Sequence, residues 1–157
     1  MSHALVALSS LAIVVVASVL VLALQVEDWR RDLVTNVAET DPAHPDPLLR
    51  PLTVSLSVPE TVALVERSVR SLPRWQVTGA KGDSAAAELR LVRTSRLFRF
   101  GDDVTVWIDR RAAASVIRAR SASRVGKGDL GQNPRNLRQL MQAIRDEVDA
   151  ARRAGAD

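Results

Sequence analysis

The chain has 157 residues, with 22 lysines and arginines against 18 aspartates and glutamates, a formal charge of +4. That length admits one domain with a real core and excludes two ordinary ones. It contains no cysteine and two histidines, His3 and His44, which excludes disulfides, thiolate metal sites, a cysteine nucleophile and, by the placement of the histidines, a Ser–His–Asp arrangement.

From Ala4 to Val26, 23 consecutive residues carry no charged or histidine side chain. As a helix that run measures about 34 Å, enough for a hydrocarbon core of about 30 Å, and it reads as a single-pass transmembrane helix. A cleaved secretory signal is the alternative, with Val21 and Ala23 as small residues at the cleavage site, but the leader has no lysine or arginine and the apolar run is long. Arg30 and Arg31 follow the run, and by the positive-inside rule they lean the remainder to the cytoplasmic side of a membrane. The expected organisation is an anchor over residues 1–28, a proline-rich tether over 29–51 (Pro42, Pro45, Pro47, Pro51), and a domain over 52–154.

The domain opens with LTVSLSV, whose Leu52, Val54, Leu56 and Val58 alternate with polar residues at the period of a half-buried strand. Pro59 suits a first helical position, Val62, Val65, Val69 and Leu72 form one helical stripe, and Pro73 ends it. Residues 74–93 read as two strands around Gly79 and Gly82. DDVTVWID and SVIRARSAS are two more, joined by a short turn near Ala112, so they pair antiparallel. The last element is a helix in which Leu137, Leu140, Met141, Ile144 and Val148 recur at helical steps, with Asn133 as cap and Pro134 first. The fold class is therefore α+β: a mainly antiparallel sheet of about five strands, in the order β-α-β-β-β-β-α, covered by two helices.

SRVGKGDLGQN spells G-x-G-x-x-G through Gly126, Gly128 and Gly131. A dinucleotide fingerprint needs a helix that starts inside the motif and a further strand ending in an acid about 20 residues on. Here the helix starts after the motif and no later strand follows, so the glycines serve a compact connection. A weaker alternative lets free amides at the helix start, with Arg124 and Lys127, hold an anion.

Residues 90–124 hold nine arginines against three aspartates, a basic segment able to attract anions. Pairing centred near Ala112 sets partners whose numbers sum to about 224 or 225, which brings Asp102 and Asp103 opposite Ser121 to Ser123. The candidate site residues are Asp102, Asp103, Arg118, Arg120, Ser121, Ser123, Arg124, Lys127, Asp129 and Asn133. Adjacent strand residues point to opposite faces, so only one of the two aspartates can share a given pocket.

RTSRLFRFGDDVTVWID followed by IRARSASRVGKGDLGQN resembles the paired signature of the domain of unknown function 1499 family, over roughly residues 48–148. TNVAETDP resembles a branch of the same family. The motif positions are Asp102, Asp103, Arg120, Ser121, Ser123, Arg124, Gly126, Asp129, Gly131 and Asn133. Thr105 stands where the family commonly has an acid, and Lys127 where it has an aromatic. The resemblance implies a fold and no activity.

Three functional readings remain. A membrane-tethered binding or assembly module holds an anionic small molecule, lipid headgroup or partner protein. A structural Asp–Arg–Ser network fixes the sheet end without a ligand. An enzyme uses Asp102 or Asp103 as acid/base beside Arg120 or Arg124. No cofactor or metal is expected, beyond a remote oxygen-ligand arrangement of Asp102, Asp103 and Asp129. Nucleic acid is not an expected partner, since stacking would fall to Trp75, Phe98, Phe100 and Trp107 alone.

Overall fold

The computed structural model describes residues 11–17, 35–95, 100–125 and 129–154. Six strands form one antiparallel sheet: β1 (Val37–Glu39), β2 (Leu52–Val54), β3 (Trp75–Gly82), β4 (Ala86–Thr94), β5 (Gly101–Arg111) and β6 (Ala114–Ser123). Two long helices, α1 (Val58–Ser71) and α2 (Gln132–Ala154), and a 3-10 turn at Pro47–Leu49 complete the domain. The α+β class and the β3-to-β6 meander follow the alternation in the sequence.

The order across the sheet is β1-β6-β5-β4-β3, with β2 also on β6. β1 pairs with residues 120–122 and β2 with residues 115–117 of the same outer edge. Between them Thr40 continues the ladder, its amide donating to Ala119 O and its hydroxyl accepting from Ala119 N. β1 and β2 are thus one edge strand interrupted by a loop over residues 41–51. α1 then crosses the sheet and delivers β3 to the opposite edge.

The count of five strands is corrected to six, because β1 lies inside the segment read as a tether. Local proline density correctly denies that segment a central strand, but it cannot register the free edge that β6 offers. The loop is fastened to α2: Arg138 Nε donates to Asp46 Oδ2 at 2.5 Å, Arg145 Nη2 to Pro47 O at 2.8 Å, and Leu49 is buried.

Boundaries also shift. β2 stops at Val54, and Ser57 turns into the N-cap of α1, its hydroxyl and the Glu60 carboxylate forming a capping box. A capping signal ended what periodicity alone extended to Val58. The β3–β4 turn is at residues 83–85, where Asp83 accepts from the amides of Ala85 and Ala86. Gly79 instead adjoins a bulge.

Both helices lie on one face of the sheet. Leu64, Val65 and Val69 of α1 and Leu137, Leu140, Met141 and Ile144 of α2 pack on Leu89, Leu91, Val104, Val106, Ile108 and Ile117. The other face carries no helix among the described residues. Such a layering buries one side of each strand and leaves Thr105, Trp107, Arg118 and Arg120 on the uncovered side.

The membrane expectation is corrected. Of the apolar run from Ala4 to Val26, residues 11–17 are described, helical and exposed; the remainder lies outside the described residues. Among the described residues no helix is long and apolar enough to cross a membrane, and the single-pass anchor and membrane localisation are withdrawn.

The Arg138 hydrogen bond holds the Asp46 carboxyl below its ordinary value of 3.8, with the Leu48 amide assisting. A carboxyl depressed on folding contributes its full stability above the unfolded value and loses it as pH falls through the folded one. Asp46→Asn is therefore expected to cost about 1 kcal/mol at neutral pH. In urea melts across pH, the gap between variant and wild type should close as pH falls below about 4.

Candidate functional site

The register places Asp102 opposite Ser123 and Asp103 opposite Ala122, the larger of the two sums that the turn near Ala112 allows. Alternation then separates the two aspartates. Asp102 points under the helices and is 5% exposed, whereas Asp103 stands on the uncovered face.

On the covered side, Asn136 Nδ2 donates to Asp102 Oδ2 at 2.9 Å and to Ser121 Oγ at 3.2 Å. Ser121 Oγ donates to Asn133 Oδ1 at 2.6 Å. Asn133 Nδ2 donates to Asn36 O at 2.7 Å and Ser123 Oγ at 3.0 Å. Ser121 and Asn133 are fully buried and Asn136 is 1% exposed. One chain of hydrogen bonds therefore clasps β5, β6, the approach to β1 and the first turn of α2. Buried polar groups so connected are stabilising only while every member is satisfied.

Asn133 is not the helix cap. Asp129 takes that role: Oδ1 accepts from Gly131 N at 2.9 Å and Oδ2 from Asn133 N at 2.8 Å. Gly131 sits at φ 74, a left-handed conformation that glycine adopts without a Cβ penalty. Relieved of capping, the Asn133 side chain turns inward to the clasp. The amides of Gly131 and Asn133 are thereby occupied. Gly126, Lys127 and Gly128 lie outside the described residues.

On the uncovered face, Arg124 grips Asp103 with two parallel bonds, Nε to Oδ2 at 3.0 Å and Nη2 to Oδ1 at 2.6 Å. Those bonds raise the guanidinium pKa. A Cβ on Gly101 would meet Arg124 Nη1 at 3.3 Å, so the glycine makes room for this fork. Farther along, Arg118 donates to Asp109 at 2.8 Å and lies 5.6 Å above the Trp107 ring. Arg120 lies between them, facing Thr105 on one neighbouring strand and Glu39 on the other.

Nine of the ten sequence candidates are thus divided, and the tenth, Lys127, lies outside the described residues. Asp102, Ser121, Ser123, Asp129 and Asn133 meet in or beside the clasp; Asp103, Arg118, Arg120 and Arg124 lie on the opposite face. The carboxylates of Asp102, Asp103 and Asp129 do not converge, and no group of three metal-binding side chains exists among the described residues. Sequence reading missed Asn136, whose signal was its position one turn after Asn133. It also missed Arg93, directly opposite Asp102 on β4. Arg93 Nη1 is 3.9 Å from Asp102 Oδ2, and burial lowers the Arg93 pKa against the pull of that carboxylate.

A family model described as "Protein of unknown function (DUF1499)" matches residues 24–144. The chain belongs to this family. The DUF1499 match takes in both the clasp and β1, in keeping with the structural role of residues 35–51. No curated protein matches the chain. Among solved structures it is similar to a point mutant of the protein Mog1, with 8% identity and a TM-score of 0.31, over 72% of this chain and 60% of that one. The chain thus spans less than two thirds of that protein.

Asn136→Ala withdraws donors from both Asp102 and Ser121 and leaves a carboxylate buried with one distant arginine. It should cost about 3 kcal/mol in urea denaturation. Asp103→Ala, which breaks an exposed pair, should leave the urea midpoint close to that of wild type.

Proposed function

We propose that this DUF1499 protein is a non-catalytic binding or assembly module that presents its uncovered sheet face to acidic groups of a partner protein. The carrying observation is how the motif divides between the two faces of the sheet. Its hydroxyls, amides and Asp102 are consumed in the clasp, while Arg118, Arg120 and Arg124 project together from the side that no described helix covers.

Acid/base catalysis is disfavoured by the same geometry. Asp102 is closed off beneath α2, and the Asp103 carboxylate is held in a two-point grip by Arg124 in open solvent. The structural reading of the motif is favoured by the buried clasp and is compatible with binding: the clasp holds β5 and β6 in register, and that register spaces the three arginines. Arg118 is further braced by Trp107 and Asp109, so less of its side-chain freedom is lost on docking.

Immobilised poly-glutamate serves as the acidic probe. Wild type should be retained at about 50 mM salt and released by about 500 mM. The triple variant R118A/R120A/R124A should bind about tenfold more weakly with an unchanged melting temperature. A control variant that neutralises Arg67, Arg70 and Arg152 should retain wild-type binding. Equal loss in both variants would reduce the effect to net charge and overturn the proposal.

A further inference from the structure

One row of the uncovered face runs Lys81, Glu88, Trp107, Arg118 across β3, β4, β5 and β6. On the β3–β4 side of Trp107 lies an open recess of about 290 Å³, lined by the indole, by Gly82, Ala86 and Ala87, and by Glu88 and Asp109. Its floor is low because the β3–β4 turn is tight. Gly82 sits at φ 148, and a Cβ there would collide with the Ala86 carbonyl and the Ala87 backbone. Ala86 and Ala87 add only methyl groups, so the indole is the one large apolar wall.

The two sides of Trp107 differ in charge. From β6, Arg118 places its guanidinium 5.6 Å from the ring centroid, at the head of the file Arg118, Arg120 and Arg124. The rim of the recess is acidic, with Glu88 held by Lys81 at 3.2 Å and Asp109 by Arg118 at 2.8 Å. A further carboxylate entering there would meet two groups of its own sign, so the recess refuses the acidic groups that the arginines attract. An uncharged ring meets no such penalty and gains the contact of the indole.

We infer, resting on the acidic partner proposed above, that the partner segment also carries an aromatic side chain, which enters this recess while the acidic residues beside it lie on Arg118, Arg120 and Arg124. From β6 to β4 is two strand spacings, about 10 Å, which an extended chain covers in about three residues at about 3.3 Å each. The recognised segment is therefore an aromatic residue about three positions from the first of its acids. The ring supplies the apolar area that a file of exposed arginines lacks, and the arginines supply orientation.

The test is fluorescence anisotropy of dye-labelled peptides titrated with the full chain at about 50 mM salt. Each peptide carries three glutamates at alternate positions, and a residue three positions from the nearest glutamate is set to Phe, Ala or Lys, before the glutamates in one series and after them in the other. In the series that binds more tightly, the Phe peptide should bind about tenfold more strongly than the Ala peptide. Ala86→Gln places a longer side chain in the recess away from the arginines. It should bring the Phe peptide down to the affinity of the Ala peptide, and leave the Ala peptide and the melting temperature as in wild type. Trp107→Leu should erase the same ratio, and because both peptides use the same arginines, the ratio is insensitive to any change at Arg118. A Phe-to-Ala ratio near one in wild type, a tenfold ratio kept in both variants, or a Lys peptide that binds more tightly than the Phe peptide overturns this inference and leaves the arginine face standing. Failure of every peptide to bind overturns both.

Discussion

The fold depends on an obligation created at one residue. Asp102 occupies an inward position of β5, in line with Val104, Val106 and Ile108, and a carboxylate there is tolerable only with hydrogen bonds supplied from nearby. Asn136 supplies one, and the linkage continues through Ser121 and Asn133 to the backbone of Asn36. Because the partners come from three parts of the chain, satisfying Asp102 fixes α2, β6 and the entry to β1 together. An apolar residue at the same place would pack, but it would not specify which turn of α2 sits over the sheet. Asp129 makes the arrangement possible by capping α2 and releasing Asn133 for the interior.

The interrupted edge strand has a similar logic. β6 presents more edge than β2 alone covers, and an open edge is a template for unwanted pairing. β1 and Thr40 cover the rest. The excursion between them is held to α2 by Asp46–Arg138 and by the buried Leu49. With helices on one side only, the sheet has two unlike faces. One is apolar and ends in the clasp and Arg93. The other is lined with arginines partnered by Asp103, Asp109 and Trp107.

Much of this was legible from residue order. Alternation in DDVTVWID and SVIRARSAS, with the turn near Ala112, gave the hairpin and its register, and alternation alone separated Asp102 from Asp103. The helical stripe from Leu137 to Val148 gave α2 and placed Met141 in the core, where it is fully buried. Asn136 and Arg93 were not legible as site residues, because their roles come from elements brought together only on folding. Asn36 is further still: it contributes a backbone carbonyl, which no side-chain pattern records.

The sequence by itself determined the α+β class, the pairing of β5 with β6, the two amphipathic helices and the DUF1499 motif, because each follows from side-chain periodicity or from a contiguous string of residues. Tertiary structure alone decided that the motif divides between a buried clasp and an open arginine face, that residues 37–39 join the sheet, and that Asn136 and Arg93 flank Asp102. Those outcomes depend on which surfaces meet across long sequence separations, and hydrophobic pattern does not encode that.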